Sequence, residues 1–128
     1  MPTLKILAVD DDKTIQRVLQ QAFPKALFNL HFAMNGEEAL KEYQSFMPDI
    51  ILLDILMPVL NGYETLKTIR GQHQDLTTTI IMLSSITAKS EIMACAKLGI
   101  QGYIFKPFAA KDLALQVVKY HKNNSASK

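Results

Sequence analysis

The chain has 128 residues, 48% apolar and 20% charged, with a formal net charge of +2 and one cysteine; this is the length of one domain, with enough apolar content for a buried core. No apolar run approaches the ~20 residues of a membrane span, no secretory leader pattern follows Met1 and one thiol cannot close an internal disulfide, so a cytoplasmic protein is expected and Cys95 reads as a buried structural thiol. Residues 1–85 carry 7 Lys+Arg against 10 Asp+Glu, and residues 86–128 carry 7 against 2, but without an Arg cluster or a nucleic-acid motif the basic part reads as solvated helix faces, with no direct nucleic-acid or membrane binding.

Leu4 to Val9 is a short apolar run broken only by Lys5, and it reads as a strand delivering Asp10, Asp11 and Asp12 to its carboxyl end. From Lys13 the period changes: Ile15, Val18, Leu19, Ala22 and Phe23 form a helical stripe that Asp12 can cap and that must stop near Pro24. Phe28 to Ala33 is a weaker strand. Asn35 stands three positions before Glu38, the spacing of a capping box, and opens a helix with Ala39, Leu40, Tyr43 and Phe46 inward. Pro48 ends it.

Ile50 to Leu53 is wholly apolar, as suits a strand covered on both faces, and it ends in a lone acid, Asp54. Pro58 and Asn61-Gly62 then turn the backbone, and Asn61 with Glu64 repeats the capping spacing for a helix bearing Leu66 and Ile69 and stopping at Gly71. Thr79 to Leu83 is another apolar strand, followed by Ser84-Ser85 and a helix from Thr87 or Ala88 to Leu98, closed by Gly99. Tyr103 to Phe105 is the last strand, Lys106-Pro107 follows at once, and a helix from about Ala110 presents Leu113, Val117 and Tyr120. Residues 1–122 are read as one domain and 123–128 as a polar, frayed tail. Five strands alternating with five helices predict an α/β fold: a three-layer α/β/α sandwich around a parallel sheet.

In such a sheet the carboxyl ends of the strands share one edge, which gathers Asp10, Asp11, Asp54, Ser84 and Lys106 from the whole length of the chain. Crowded carboxylates repel and raise one another's pKa, so the cluster makes most sense around a hard divalent cation, with Mg²⁺ fitting best. Carboxylates, a hydroxyl and a lysine around a cation make a phosphoryl site. A carboxylate can take a phosphoryl group without a general base, and Asp54 is the expected nucleophile.

Val9-Asp10-Asp11, Asp54, Met57-Pro58 with Asn61-Gly62, Ser84, and Tyr103-Ile104-Phe105-Lys106-Pro107, in that order at five successive strand ends, resemble a CheY-like response-regulator receiver domain over Lys5 to His121. The resemblance implies a flavodoxin-like strand order of 2-1-3-4-5. It further implies that Asp54 accepts a phosphoryl group from a sensor histidine kinase or histidine phosphotransfer protein. Asp11, Asp54 and the backbone carbonyl of Leu56 would ligate Mg²⁺, with Asp10 acting through water and Lys106 binding a phosphate oxygen. Ser84 and Tyr103 would be the switch pair, the peptide before Pro107 would be cis, and the output would be a downstream effector or a phosphorylation-dependent homodimer, reached through the face of helix four, strand five and helix five. The resemblance thus implies a signalling domain and not a metabolic enzyme.

Two departures from the family pattern, Asn61 and the Ala109-Ala110 pair, concern helix caps. Leu56 and Ile86, two residues beyond Asp54 and Ser84, should hinder an attacking water and slow the loss of the phosphoryl group. Leu115 and Val118, with Ala114, fall off the buried stripe of the last helix and are expected to form a partner face beside Tyr103. A phosphatase is disfavoured because Ile55 and Leu56, not an acid, follow Asp54, and a flavin carrier because the first loop offers acids in place of a phosphate cradle. A protein-binding module indifferent to phosphate is the alternative on the same fold.

Overall fold

The computed structural model describes residues 3–57 and 59–126. Pro58, expected to turn the backbone, and Ser127-Lys128 of the expected tail lie outside the described residues. The elements run β1 (Leu4–Val9), α1 (Lys13–Ala22), β2 (Phe28–Ala33), α2 (Gly36–Phe46), β3 (Ile50–Leu53), α3 (Gly62–Lys67), β4 (Thr79–Ser84), α4 (Lys89–Leu98), β5 (Gly102–Phe105) and α5 (Ala110–Ala126). All strand pairings are parallel, in the order β2-β1-β3-β4-β5, as expected for crossovers through helices.

Each strand feeds two cores at period two. On one face Ile6 and Ala8, Ile50 and Leu52, and Ile81 and Leu83 pack with Leu19 of α1, Phe23 just past its end, and Leu113 and Val117 of α5. On the other, Leu7 and Val9, Ile51 and Leu53, and Ile80 and Met82 meet Ala39 of α2, Leu66 of α3 and Cys95 of α4. This double coverage is why β3 tolerates no polar residue, and the buried thiol of Cys95 is part of it. Lys5 fits within the first strand because its ammonium reaches out to the carbonyl oxygen of Phe46 at 2.9 Å. Among the described residues no helix is long and apolar enough to cross a membrane.

The helix starts follow local chemistry. Asp12 accepts from the Thr14 N–H at 2.8 Å, and Asn35 and Asn61 accept from Glu38 and Glu64 N–H at 2.9 Å. The Glu38 carboxylate returns to the N–H of Met34, one residue before the position a capping box would give it. Two expectations need correcting. Gly71 does not stop the third helix: the chain continues from α3 into a π-type turn, Thr68–Gln72, closed by the His73 N–H on the Thr68 carbonyl. The turn carries Arg70 inward, where its guanidinium holds the carbonyls of Gly99, Asp75 and Thr78 and the side chain of Gln101. The second concerns residues 123–126, which are helical and not frayed. Their polar composition suggested a tail, but the Asn124 amide donates to the Thr77 carbonyl and the Thr79 hydroxyl, pinning the end of α5 to the start of β4.

Candidate functional site

The carboxyl ends of β1 and β3 lie side by side, because Val9 pairs with Leu53 and the Asp54 N–H donates to the Val9 carbonyl at 3.0 Å. This register sets Asp10 and Asp54 in adjacent strands just past the sheet. Both are buried, at 2% and 7% exposed, whereas Asp11 is exposed. A carboxylate oxygen of each lies within 4.8 Å of the others. Lys106, directly after β5, donates from Nζ to Asp10 Oδ2 at 2.6 Å and stands 3.4 Å from Asp54 Oδ2. Its peptide to Pro107 is cis.

Gly62 makes this packing of the loop after β3 feasible. Its N–H donates to the Ile55 carbonyl, and a Cβ there would sit 2.0 Å from the Asp54 carbonyl oxygen. The head of α3 therefore closes onto the phosphoacceptor candidate only because this residue has no side chain. Gly36 plays a similar part nearby, its N–H donating to the Leu60 carbonyl.

The electrostatics are those of an unfinished charge cluster. Burial pushes the Asp54 carboxyl above its ordinary value; Lys106 pulls it down, the charge of Asp10 pushes it up again, and the upward effects prevail. Burial disfavours the Lys106 ammonium, but the hydrogen bond and charge of Asp10, reinforced by Asp54, outweigh it and raise its pKa. Three carboxylates against one ammonium leave a formal excess of two negative charges. Asp11, the exposed member, has no hydrogen-bond donor among the described residues. An all-oxygen donor set with that excess suits a hard divalent cation.

Ser84 ends β4 fully buried, its Oγ accepting from the Ile86 N–H at 3.2 Å. Tyr103, half-buried in β5, donates to the Ile86 carbonyl at 3.0 Å. Burial raises its phenol, and a hydrogen bond with Ser84 partly offsets that. The two expected switch residues thus meet across the Ile86 turn.

The expected partner face is not assembled as the helical wheel suggested. Ala114 and Val118 pack into the core layer shared with α1, and Leu115 stands free at 75% exposed. The groove beside Tyr103, about 470 Å³, is walled on the α5 side by Asp112, Gln116 and Lys119. The correction is physical: α5 packs against the core shared with α1, which covers Ala114 and Val118, while the Tyr120 ring of the same helix lies against Gly102 of β5. Leu56 is 64% exposed, and Ile86 leans on the core.

Two functional contributions carried no motif. Gln16, a polar position on α1, donates to the Asp10 backbone carbonyl at 2.9 Å. The close approach of Gly62 to Asp54 was legible only as a turn.

Residues 6–118 match the response regulator receiver domain family. The transcriptional regulatory protein CpxR of Escherichia coli (strain K12) is 35% identical over 113 residues, which cover 88% of this chain and 47% of that protein. The alkaline phosphatase synthesis transcriptional regulatory protein PhoP of Bacillus subtilis (strain 168) is 34% identical, with 88% and 46% covered. This chain thus spans a little under half the length of those regulators. The chemotaxis response regulator CheY4 of Vibrio cholerae has a solved structure that superposes with a TM-score of 0.84 at 31% identity, covering 93% of this chain and 99% of that one.

Proposed function

The chain belongs to the response regulator receiver domain family, and from that membership we propose that it is a phosphorylation switch of a two-component system, with Asp54 as the phosphoacceptor. The observation that carries the reading is the seating of Asp54: buried at the end of the central strand, 3.4 Å from the Lys106 ammonium and within 4.8 Å of two further carboxylates.

An Asp54 carboxylate oxygen attacks the phosphorus of a phosphohistidine on a sensor kinase or histidine phosphotransfer protein. The P–N bond breaks, the departing imidazole takes up a proton, and an acyl phosphate is left on Asp54. Lys106 stands within reach to neutralise charge on the transferring oxygens. Asp11, Asp54 and the Leu56 carbonyl would hold Mg²⁺, with Asp10 acting through water; the cation supplies charge neutralisation and orientation for the phosphoryl group.

The Ser84 hydroxyl is the neutral donor nearest the site on β4. Its movement toward a phosphoryl oxygen would take it from the Ile86 N–H and release the Tyr103 contact to the same turn, biasing a two-state equilibrium. That change would be read on the α4-β5-α5 face by a downstream effector or a second copy of the chain, in the cytoplasm. The domain is then a switch and not a turnover enzyme.

The test is incubation with a small phosphodonor and Mg²⁺ followed by intact mass. A gain of one phosphoryl group that disappears in Asp54→Ala is expected. No gain in the wild type, or a gain that persists in Asp54→Ala, overturns the reading.

A further inference from the structure

Asp10 is held at every polar atom by a different part of the fold. Its N–H donates to the Ala33 carbonyl of β2 at 3.0 Å. Its Oδ1 accepts from the Asp12 N–H at 2.9 Å and its Oδ2 from Lys106 at 2.6 Å. Its backbone carbonyl accepts from Gln16 Nε2 at 2.9 Å. Asp11 has no such support: it is exposed and its carboxylate, within 4.8 Å of the other two, has no donor among the described residues. Whatever orients Asp11 therefore acts through the backbone, and the peptide plane leading into it is the one whose oxygen Gln16 holds.

The side chain of Gln16 is itself fixed. Its amide nitrogen also donates to the Met34 thioether at 3.0 Å, so both neighbours of that nitrogen are acceptors, which settles which end of the amide faces the turn. Gln16 lies one turn into α1, whose start is capped by Asp12. The helix thereby grips the acidic turn at both ends, through its cap and through this amide. We infer that Gln16 is a positioning residue for the cation site: by pinning the Asp10–Asp11 peptide it aims the Asp11 carboxylate at the cluster formed with Asp10 and Asp54. Residues that orient ligands from behind in this way commonly govern affinity as strongly as weaker ligands do.

The inference rests on the proposed reading of the acid cluster as a divalent-cation site, and the experiment separates the two. Mg²⁺ is titrated calorimetrically into wild type, Gln16→Met, which keeps the shape without a donor, and Gln16→Arg, which keeps a donor. Thermal unfolding of each is followed in a chelator. The expected result is a roughly tenfold weaker Mg²⁺ affinity for Gln16→Met, with little change in its metal-free Tm and affinity restored to within about twofold of wild type in Gln16→Arg. Gln16→Leu serves the same purpose should Gln16→Met not fold. A Gln16→Met or Gln16→Leu variant that binds Mg²⁺ as tightly as wild type overturns the inference while leaving the site reading intact. A Gln16→Arg variant as weak as Gln16→Met also overturns it. A wild type that takes up no Mg²⁺ overturns both.

Discussion

Replacing Asp54 by asparagine should stabilise the protein in the absence of a divalent cation. The Lys106 ammonium is 3.4 Å from Asp54 Oδ2, an attraction of about 5 kcal/mol at an effective dielectric of about 20. Asp10, with a carboxylate oxygen within 4.8 Å, repels by about 3.5 kcal/mol on the same scale, and the exposed Asp11 adds about 1 kcal/mol at the dielectric of water. The charge effects nearly cancel, and burial decides. A carboxylate left 7% exposed gives up most of its hydration at a cost of several kcal/mol, only partly returned by its hydrogen bonds. An asparagine of the same shape avoids that cost and leaves Lys106 paired with Asp10. The expected gain is about 1–2 kcal/mol, or roughly 3–10 °C in Tm for a domain of this size, measured by circular dichroism melting in a chelator.

The pH dependence carries a definite sign. The folded-state pKa of Asp54 is raised, so the folded protein holds the proton to higher pH than the unfolded chain. Wild-type stability relative to Asp54→Asn should therefore fall as pH rises from the unfolded carboxylate value, about 3.9, through the raised folded value. Mg²⁺ should then stabilise wild type more than the variant. A variant Tm in chelator equal to or below that of wild type, or a difference curve that rises with pH in this window, would refute the reasoning.

Val59 adopts φ 69° while 74% exposed, and a β-branched residue in the left-handed region is strained by about 1–2 kcal/mol; Val59→Gly should raise stability by about 1 kcal/mol, and an unchanged denaturant midpoint would count against the strain. Burial works to raise the Asp75 carboxyl, but hydrogen bonds from Thr78, Tyr43 and Thr77 hold it well below the usual range. Its stabilising effect is present above the unfolded carboxylate value and is lost as pH falls from there through the depressed folded value, so Asp75→Asn should flatten the acid loss of stability below about pH 4. Tyr43→Phe, which removes a 2.5 Å hydrogen bond to Asp75, should cost about 1.5–3 kcal/mol in chemical denaturation. Leu56→Asn and Ile86→Glu should each speed loss of the phosphoryl group by on the order of tenfold, about 1.4 kcal/mol in barrier, by admitting and orienting water; decay rates equal to wild type would remove apolar shielding as the explanation.

Much of this was legible in the chain because the signals are local. Ile50 to Leu53 with a terminal Asp54 read as a doubly covered strand, and the strand it forms is buried throughout. Asp12, Asn35 and Asn61 read as caps, and each side chain accepts an N–H from the first turn of its helix, at the implied three-residue spacing for the two asparagines. The motif order at five strand ends carried the acid cluster, since a parallel sheet places all those ends on one edge.

What was misread involves partners far away in sequence. Gly71 looked like a stop, but the chain runs on because Arg70 has the carbonyls of Asp75 and Thr78 in the next loop and of Gly99 after α4 to bind. Leu115 and Val118 looked like one exposed stripe, but helix period cannot tell which flank α1 will cover.

By itself the sequence determined the elements, the strand-end acids and Lys106 as a set, because residue type, hydrophobic period and cap spacing act within a few residues along the chain. The tertiary structure decided the rest: that Asp10 and Asp54 are buried while Asp11 is free, that Lys106 sits nearer Asp10 than Asp54, and that Gln16 grips the acidic turn. The first two are matters of distance between groups separated by tens of residues, and the third of how α1 folds back on a turn six residues before Gln16; distance across a fold is set by packing.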